Sequence, residues 1–136
     1  MQIKSKTKSK PKIAICESDH ARLLALANAA EERFPEVAEE LLIELERARI
    51  VADHSLPAKA VRIGSLVAFE RENGARQTVT LVLPEDADIS RGRVSILTPI
   101  GAALIGLSEG QAMQWTARDG TQHVLSVLSV SKEPDA

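Results

Sequence analysis

Two patterns of apolar residues divide the chain into a helical part and a strand part. Between Leu23 and Phe34 apolar side chains recur every three or four residues, which is the spacing of one helix face. Between Ala38 and Ala52 the spacing is three, four, three and four, as along the seam of a coiled coil. From Val61 onwards apolar and polar positions alternate, which indicates strands. Helices followed by strands predict an α+β protein.

Start and stop signals limit the two predicted helices. Ser18 or Asp19 can cap the first helix with a side-chain oxygen. Pro35, which a helix tolerates only in its first turn, ends that helix near Arg33 and starts the second. Arms of about sixteen residues would be roughly 24 Å long, and the tight turn between them makes them antiparallel. These signals predict that residues 13–53 form an antiparallel helical hairpin, which is a short coiled coil. An extended Ile-Ala-Ile segment precedes its first helix.

The second half of the chain predicts a small, mostly antiparallel sheet. Asn73-Gly74 and Asp119-Gly120 are hairpin signals, because these residues tolerate a positive φ. The segments with strand character are 61–69, 76–83, 93–97, 113–117 and 123–130. A short apolar stretch at 98–107, rich in glycine, interrupts them and predicts one short helix.

Charge is segregated along the chain. Residues 1–12 hold five lysines and no acid, whereas residues 17–53 hold ten acids against four arginines. We expect a disordered basic tail first, and an acidic hairpin that repels nucleic acid and favours a basic protein surface. The predicted order is a tail at 1–12, the hairpin at 13–53, a linker at 54–60, a sheet domain at 61–131 and a second tail at 132–136.

Composition narrows the class of protein further. Aromatic residues make up only 2 % of the chain, so the core must be aliphatic, and platforms that stack nucleic-acid bases are disfavoured. The single cysteine, Cys16, excludes an internal disulfide and fits a reducing compartment. The basic start lacks the apolar core of a signal peptide, and no apolar run approaches the ~20 residues of a membrane span. We expect a cytoplasmic monomer without membrane contact.

The chain shows no arrangement of residues that favours catalysis. The three histidines are far apart and lack partners at metal-ligand spacing, which argues against a zinc site. The segment GAALIGLS lacks both the Lys-Ser/Thr of a phosphate loop and the GxGxxG spacing of a dinucleotide site. We therefore predict no catalytic residue, no metal and no cofactor, and interpret the chain as a binding protein.

The segment VSILTPIGAALIGLSEGQAMQW resembles the C-terminal signature of the Gre family of transcription factors. That signature has Ser, Ala or Thr before Pro, then an Ala-Leu-Ile/Leu-Gly core and an acidic or glycine turn. With the hairpin and the strand order, the resemblance covers roughly residues 13–131. It implies an FKBP-like sheet domain that docks on bacterial RNA polymerase at the rim of the secondary channel, with the hairpin pointing into the channel.

The hairpin distinguishes the two branches of this family. In the transcript-cleavage factors, an acidic pair at the tip of a long hairpin helps to hold a catalytic Mg²⁺ of the polymerase. Here the hairpin is short, and its tip, EERFPEV, lacks an Asp-x-x-Glu motif. The chain is thus more similar to the short-hairpin branch, the regulators of nucleoside diphosphate kinase, which implies a regulator without enzymatic activity.

The resemblance also selects candidate site residues. It implies that Thr98, Pro99 and Ile100, at a strand-to-helix corner, contact the polymerase. From their apolar character alone, we expect Ala102, Leu104 and Ile105 to form a short helix that packs on the sheet. The second candidate set is the hairpin tip, Glu32, Phe34 and Glu36. Two alternatives stay open: a cleavage factor that uses the tip acids Glu31, Glu32 and Glu36 with the polymerase Mg²⁺, and a prolyl isomerase suggested by the FKBP-like fold.

Overall fold

Residues 10–132 are described by the computed structural model, and they form three helices and seven strands. The first unit comprises β1 (Ala14–Cys16), α1 (Glu17–Ala30), α2 (Pro35–Arg47) and β2 (Arg49–Val51). The second comprises β3 (Ser65–Arg71), β4 (Arg76–Val82), β5 (Arg93–Ser95), α3 (Pro99–Leu104), β6 (Ala112–Thr116) and β7 (Gln122–Lys132). The predicted α+β class, with a helical hairpin before a sheet and one short helix, is confirmed.

The limits of the helices differ from the prediction at three points. The helix α1 begins at Glu17, directly after the extended Cys16, so Ser18 and Asp19 lie inside its first turn and neither caps it. It ends at Ala30 rather than near Arg33. The helix α2 ends at Arg47 rather than at Ala52, and at 1.5 Å per residue the arms are about 20 Å long.

Strand pairing explains the early end of α2. Residues Arg49–Val51 pair in parallel with β1, with Ile50 opposite Ile15. Ile50 and Val51 are β-branched and favour extended backbone, and the strand that precedes α1 lies within hydrogen-bonding reach. The two strands join the start and the end of the hairpin at its base.

The seam between the two helices is confirmed. The residues that it buries are Leu23, Ala27 and Ala30 on α1, and Ala38, Leu41 and Leu45 on α2. Phe34, the last residue of the predicted first face, lies instead at the tip and is 48 % exposed.

The five-stranded sheet has the order β5-β4-β3-β7-β6. Its pairs are antiparallel except for β4 and β5, which run parallel, so the sheet is mixed rather than purely antiparallel. Two single 3-10 turns, Pro84–Asp86 and Ile89–Arg91, carry the chain back so that β5 can enter in the same direction as β4. The FKBP-like label stays a prediction.

The hairpin and the sheet share one hydrophobic core. A single cluster of buried residues includes Leu41 and Leu45 of α2 together with Phe69 and Leu125 of the sheet. The helix α3 lies between α2 and β6, and Ala102, Leu104 and Ile105 are buried there, as predicted.

Two predicted segment limits need correction. Residues 10–12 are held by contacts with neighbouring side chains: Lys10 pairs with Glu44, and Gln111 donates a hydrogen bond to the Lys12 carbonyl over 3.0 Å. They are therefore not part of a disordered tail, and the remaining tail residues, 1–9, lie outside the described residues. Lys132, which was assigned to the C-terminal tail, pairs with Ser65 at the end of β7. Within residues 10–132, no helix is long and apolar enough to cross a membrane.

Candidate functional site

The corner between β5 and α3 is built around the Thr98 hydroxyl. This oxygen accepts a hydrogen bond from the Gly101 amide (3.1 Å) and donates one to the Ser95 carbonyl (2.7 Å). Thr98 thus caps α3, and Pro99 occupies the first helical position, where its lack of an N–H costs nothing. Because both hydrogen bonds of the hydroxyl are internal, Thr98 fixes the position of Pro99.

Gly101 allows the tight approach of this corner to β5. A Cβ atom at this position would lie 2.3 Å from the Ser95 carbonyl oxygen, far inside van der Waals contact. Gly106 ends the segment with a φ of +81°, and a Cβ there would lie 2.9 Å from that of Ile13. The two glycines thus serve close approach and the turn out of the helix.

The hairpin tip exposes an apolar ring among acids. Residues 31–36 are all exposed, and the Arg33 guanidinium lies 5.7 Å from the centre of the Phe34 ring, a cation–π distance. Glu32 points to solvent without a described partner. The tip therefore offers Phe34 for an apolar contact and its carboxylates for basic groups.

Pro99 and the hairpin tip line one cavity of about 450 Å³, which we call the tip groove. Phe34, Glu36 and Glu40 form one wall. Pro99 and the turn between β6 and β7, including Arg118, form the other. The structure thus brings together Pro99, Phe34 and Glu36 from the two predicted sets. Thr98 and Ile100 are half-buried beside it, and Ile100 packs against the core.

A second cavity of about 580 Å³ continues the tip groove along α2. We call it the α2–β6 groove, because Glu40, Ile43 and Glu44 of α2 face Ala112–Thr116 of β6 across it. Glu40 and Thr116 line both cavities, so the two grooves are continuous. Lys10 lies at the far end of this path.

The acids of α2 give the two grooves a negative wall. Burial raises the pKa of the Glu40 carboxyl, Lys10 opposes this shift, and Glu44, Glu36 and Glu39 add to it. Glu44 is 3 % exposed, and its carboxylate binds Lys10 over 2.8 Å and Arg47 over 2.7 Å. Glu44 is thus neutralised by two cations, whereas Glu40 has no direct ion-pair partner among residues 10–132.

A buried carboxylate fastens the hairpin to the sheet. Asp19, with no exposed surface, accepts hydrogen bonds from Arg22 (2.9 Å) and from the Ile63 amide (3.2 Å), and Arg62 lies 3.6 Å away. Because Ile63 lies two residues before β3, this contact joins the first turn of α1 to the start of the sheet and helps to set the orientation of the hairpin.

The turn that carries Arg118 is tied to the neighbouring hairpin. His123 binds Glu72 over 2.8 Å through Nδ1 and Thr121 over 2.9 Å through Nε2. The hydrogen bond from His123, followed by that from the Val124 amide, lowers the pKa of Glu72 to about 2. No group of three or more His, Cys, Asp or Glu side chains in the described part of the chain is arranged to hold a metal ion.

Sequence reasoning missed one wall of the tip groove. The signal Asp119-Gly120 predicted a turn, but not that Arg118 and Gly120 would lie opposite Phe34. Glu40 was also missed, because one acid in a run of several carries no distinguishing pattern.

Family models match almost the whole described chain in two parts. Residues 11–51 match the Rnk N-terminus, and residues 56–132 match "Transcription elongation factor, GreA/GreB, C-term". The second match spans more than half of the sequence. The chain belongs to the GreA/GreB family.

Relatives agree with this assignment. The chain is 32 % identical over 130 residues to the regulator of nucleoside diphosphate kinase of Escherichia coli, which covers 94 % of this chain and 95 % of the relative. The match to the elongation factor GreA of Flavobacterium johnsoniae is 31 % identical over 87 residues and covers 63 % of this chain and 54 % of that protein.

A solved structure shows the same architecture. A GreA/GreB transcription elongation factor from Nitrosomonas europaea aligns with a TM-score of 0.71 and 35 % identity, over 90 % of this chain and 99 % of that one. This GreA/GreB family member is thus a Gre-like transcription factor, and its N-terminal hairpin matches the Rnk type.

Proposed function

We propose that this protein regulates transcription by binding RNA polymerase through the tip groove, near the secondary channel, and that it catalyses no reaction itself. The observation that carries the proposal is the convergence of Pro99, from the family signature, with Phe34 and Glu36, from the hairpin tip, on one groove. In this proposal the chain acts as a cytoplasmic monomer, needs no cofactor and makes no direct contact with nucleic acid.

The chemistry of the groove suits a partner surface that is apolar in the centre and basic at its edge. Pro99 is rigid and Phe34 is half exposed, so both lose little conformational freedom on binding. Glu36 and Glu40 supply negative charge beside them. Thr98 and Ile100 act as positioning residues, because one caps α3 and the other anchors it in the core.

Binding to core RNA polymerase tests the proposal directly. We expect Pro99→Asp and Phe34→Ser each to weaken binding by about thirty-fold, the loss of a contact worth about 2 kcal/mol at an interface centre. Ile89→Ser is the matched control, because Ile89 is 78 % exposed and lies outside both grooves. No binding of the unmodified protein at micromolar concentration, or equal binding by Pro99→Asp, would contradict the proposal.

Transcript cleavage with the polymerase Mg²⁺ is the second candidate, and the exposure of Glu31, Glu32 and Glu36 favours it. Against it stands the length of the arms, about 20 Å. Addition of the protein to backtracked complexes should leave the transcript length unchanged. Shortening that disappears in the double variant Glu32→Ala, Glu36→Ala would establish cleavage instead.

A further inference from the structure

The two walls of the tip groove carry opposite charges. On the wall formed by α2, Glu36 and Glu40 line the cavity. On the opposite wall, formed by the turn between β6 and β7, the charged lining residue is Arg118. No ion pair among residues 10–132 joins Arg118 to either glutamate, so the groove keeps these charges apart. A molecule in the groove therefore meets negative charge on one side and positive charge on the other.

Hydrogen bonds fix the backbone of the turn that carries Arg118. The Ala117 amide donates to the Thr121 carbonyl over 2.8 Å, and the Gly120 amide donates to the Ala117 carbonyl over 2.9 Å. Gly120 has a φ of +87°, which this turn requires and which glycine adopts without strain. The turn thus holds the backbone of Arg118 at the groove before a partner arrives, and this lowers the entropic cost of binding there.

Two acids that are bonded to the β6–β7 hairpin do not pair with Arg118. The Asp119 carboxylate accepts hydrogen bonds from the Thr121 hydroxyl (2.6 Å) and from its amide (3.0 Å), and these bonds lower the pKa of Asp119. Glu72 is bound by His123, and neither acid lines the tip groove. The exposed Arg118 guanidinium has no partner among the described residues. The turn therefore presents a cation whose N–H donors are available to a partner.

A second cation, Arg33, lies on the opposite wall at the hairpin tip. Its guanidinium is 5.7 Å from the centre of the Phe34 ring. The same wall holds the carboxylates of Glu36 and Glu40, so two acids face the groove there against one base. This wall stays negative, and the separation of charge across the groove is kept.

Apolar side chains lie between the two charged edges. The apolar lining residues are Phe34, Val37, Pro99 and Ala117. A complementary surface carries an apolar side chain at its centre, a base towards α2 and an acid towards Arg118. A purely basic surface, which the acidic hairpin also attracts, places a base against Arg118 and is disfavoured by repulsion between like charges. Arg118 thus discriminates between basic surfaces and fixes the orientation in which one of them binds.

We propose that Arg118 determines the specificity of the tip groove by binding an acidic side chain of RNA polymerase, opposite the basic groups that Glu36 and Glu40 bind. This inference rests on the proposed function, because it names the chemistry of the partner at the same groove. It adds an acid to the apolar centre and basic edge of that partner surface.

Charge reversal tests this inference through binding of the full chain to core RNA polymerase at low ionic strength. Arg118→Glu should weaken binding by about tenfold and Arg118→Ala by about threefold, because reversal adds repulsion to the lost attraction. In about 1 M salt, where the Debye length is about 3 Å, this difference should largely disappear. Arg91→Glu is the matched control, since Arg91 is exposed, lies outside both grooves and gives the same change in net charge. It should bind like the unmodified protein.

A double variant separates a contact with the partner from a contact between the two walls. In the proposal Arg118 and Glu36 each face a different group of the polymerase. The variant Arg118→Glu, Glu36→Arg should therefore bind more weakly than either single variant. Recovery of binding in the double variant would overturn the proposal, because it would show that the two residues act on each other.

A zero-length cross-link identifies the acid. Arg118→Lys keeps the positive charge and supplies an amine, which a carbodiimide should join to an Asp or Glu of the polymerase through an amide bond. Arg91→Lys should give no such product. Cross-links no more frequent at position 118 than at position 91, or equal binding by Arg118→Glu and Arg91→Glu, would overturn this inference alone. If the unmodified protein does not bind, or Pro99→Asp binds equally, the proposed function fails and this inference fails with it.

Discussion

Replacement of Asp19 should separate the contribution of its charge from that of its hydrogen bond. Asp19→Ala leaves the partly buried amide of Ile63 without its acceptor and removes the partner of Arg22. Both arginines are about half exposed, so each ion pair contributes at most about 1 kcal/mol. The hydrogen bond from this amide to the buried, charged acceptor Asp19 contributes about 1.5–3 kcal/mol. We expect a loss of about 3 kcal/mol or more in the free energy of unfolding.

Asp19→Asn keeps an oxygen that can accept from Ile63 and loses only the charge. It should therefore cost about 1–2 kcal/mol, mostly from the two ion pairs. Glu17→Ala is the control for helix-dipole effects, because Glu17 is an exposed acid in the same turn and should contribute at most about 1 kcal/mol.

Denaturant unfolding, followed by circular dichroism, measures all three variants. Amide hydrogen exchange at Ile63 gives a local readout, and exchange should accelerate in Asp19→Ala but not in Glu17→Ala. If Asp19→Ala costs no more than Glu17→Ala, the buried carboxylate does not fasten the hairpin to the sheet. Equal losses in Asp19→Ala and Asp19→Asn would assign the effect to charge alone.

Two further predictions concern Gly101, at the corner between β5 and α3, and the contact between Glu72 and His123. Gly101→Ala should lower stability by about 1–3 kcal/mol in thermal unfolding, because the new Cβ meets the Ser95 carbonyl. Helix propensity alone predicts a gain of about 1 kcal/mol. The sign of the measured change in stability therefore shows whether the steric contact or the helix propensity dominates. Because the pKa of Glu72 falls from 4.5 to about 2 in the folded state, its contact with His123 stabilises the fold above pH 4.5 and is lost towards pH 2. Glu72→Gln should flatten the acid side of the curve of stability against pH, and an unchanged curve would contradict this.

Local signals allowed the prediction of most elements of the fold. Pro35 marked the start of α2, and the Asn-Gly and Asp-Gly pairs marked two hairpins. Most of the predicted seam residues are buried, except Phe34, Ala48 and Ala52. These signals act over a few residues, so they are visible in the sequence. The end of α2 was missed because the seam pattern continues to Ala52, whereas Ile50 pairs with a strand that lies more than thirty residues earlier.

Long-range contacts account for the other differences. Asp19 resembles a helix cap in the sequence, but the structure uses its carboxylate for the amide of Ile63, 44 residues away. The tip groove likewise depends on the packing of α2 against α3, which brings Phe34 beside Pro99. A sequence pattern does not record contacts between residues that are distant along the chain. It therefore identified the two sets of residues separately and not the groove between them.

The exposed turn at residues 31–34 leaves hairpin length free to change while the core stays constant. Insertion of one heptad into each arm at this turn would move Phe34 outwards by about 10.5 Å without disturbing a buried side chain below it. The same insertion would remove Phe34 from Pro99 and open one wall of the tip groove. In a protein of this architecture, a longer hairpin therefore reaches further but leaves the tip groove open, because the same tip cannot also lie against Pro99.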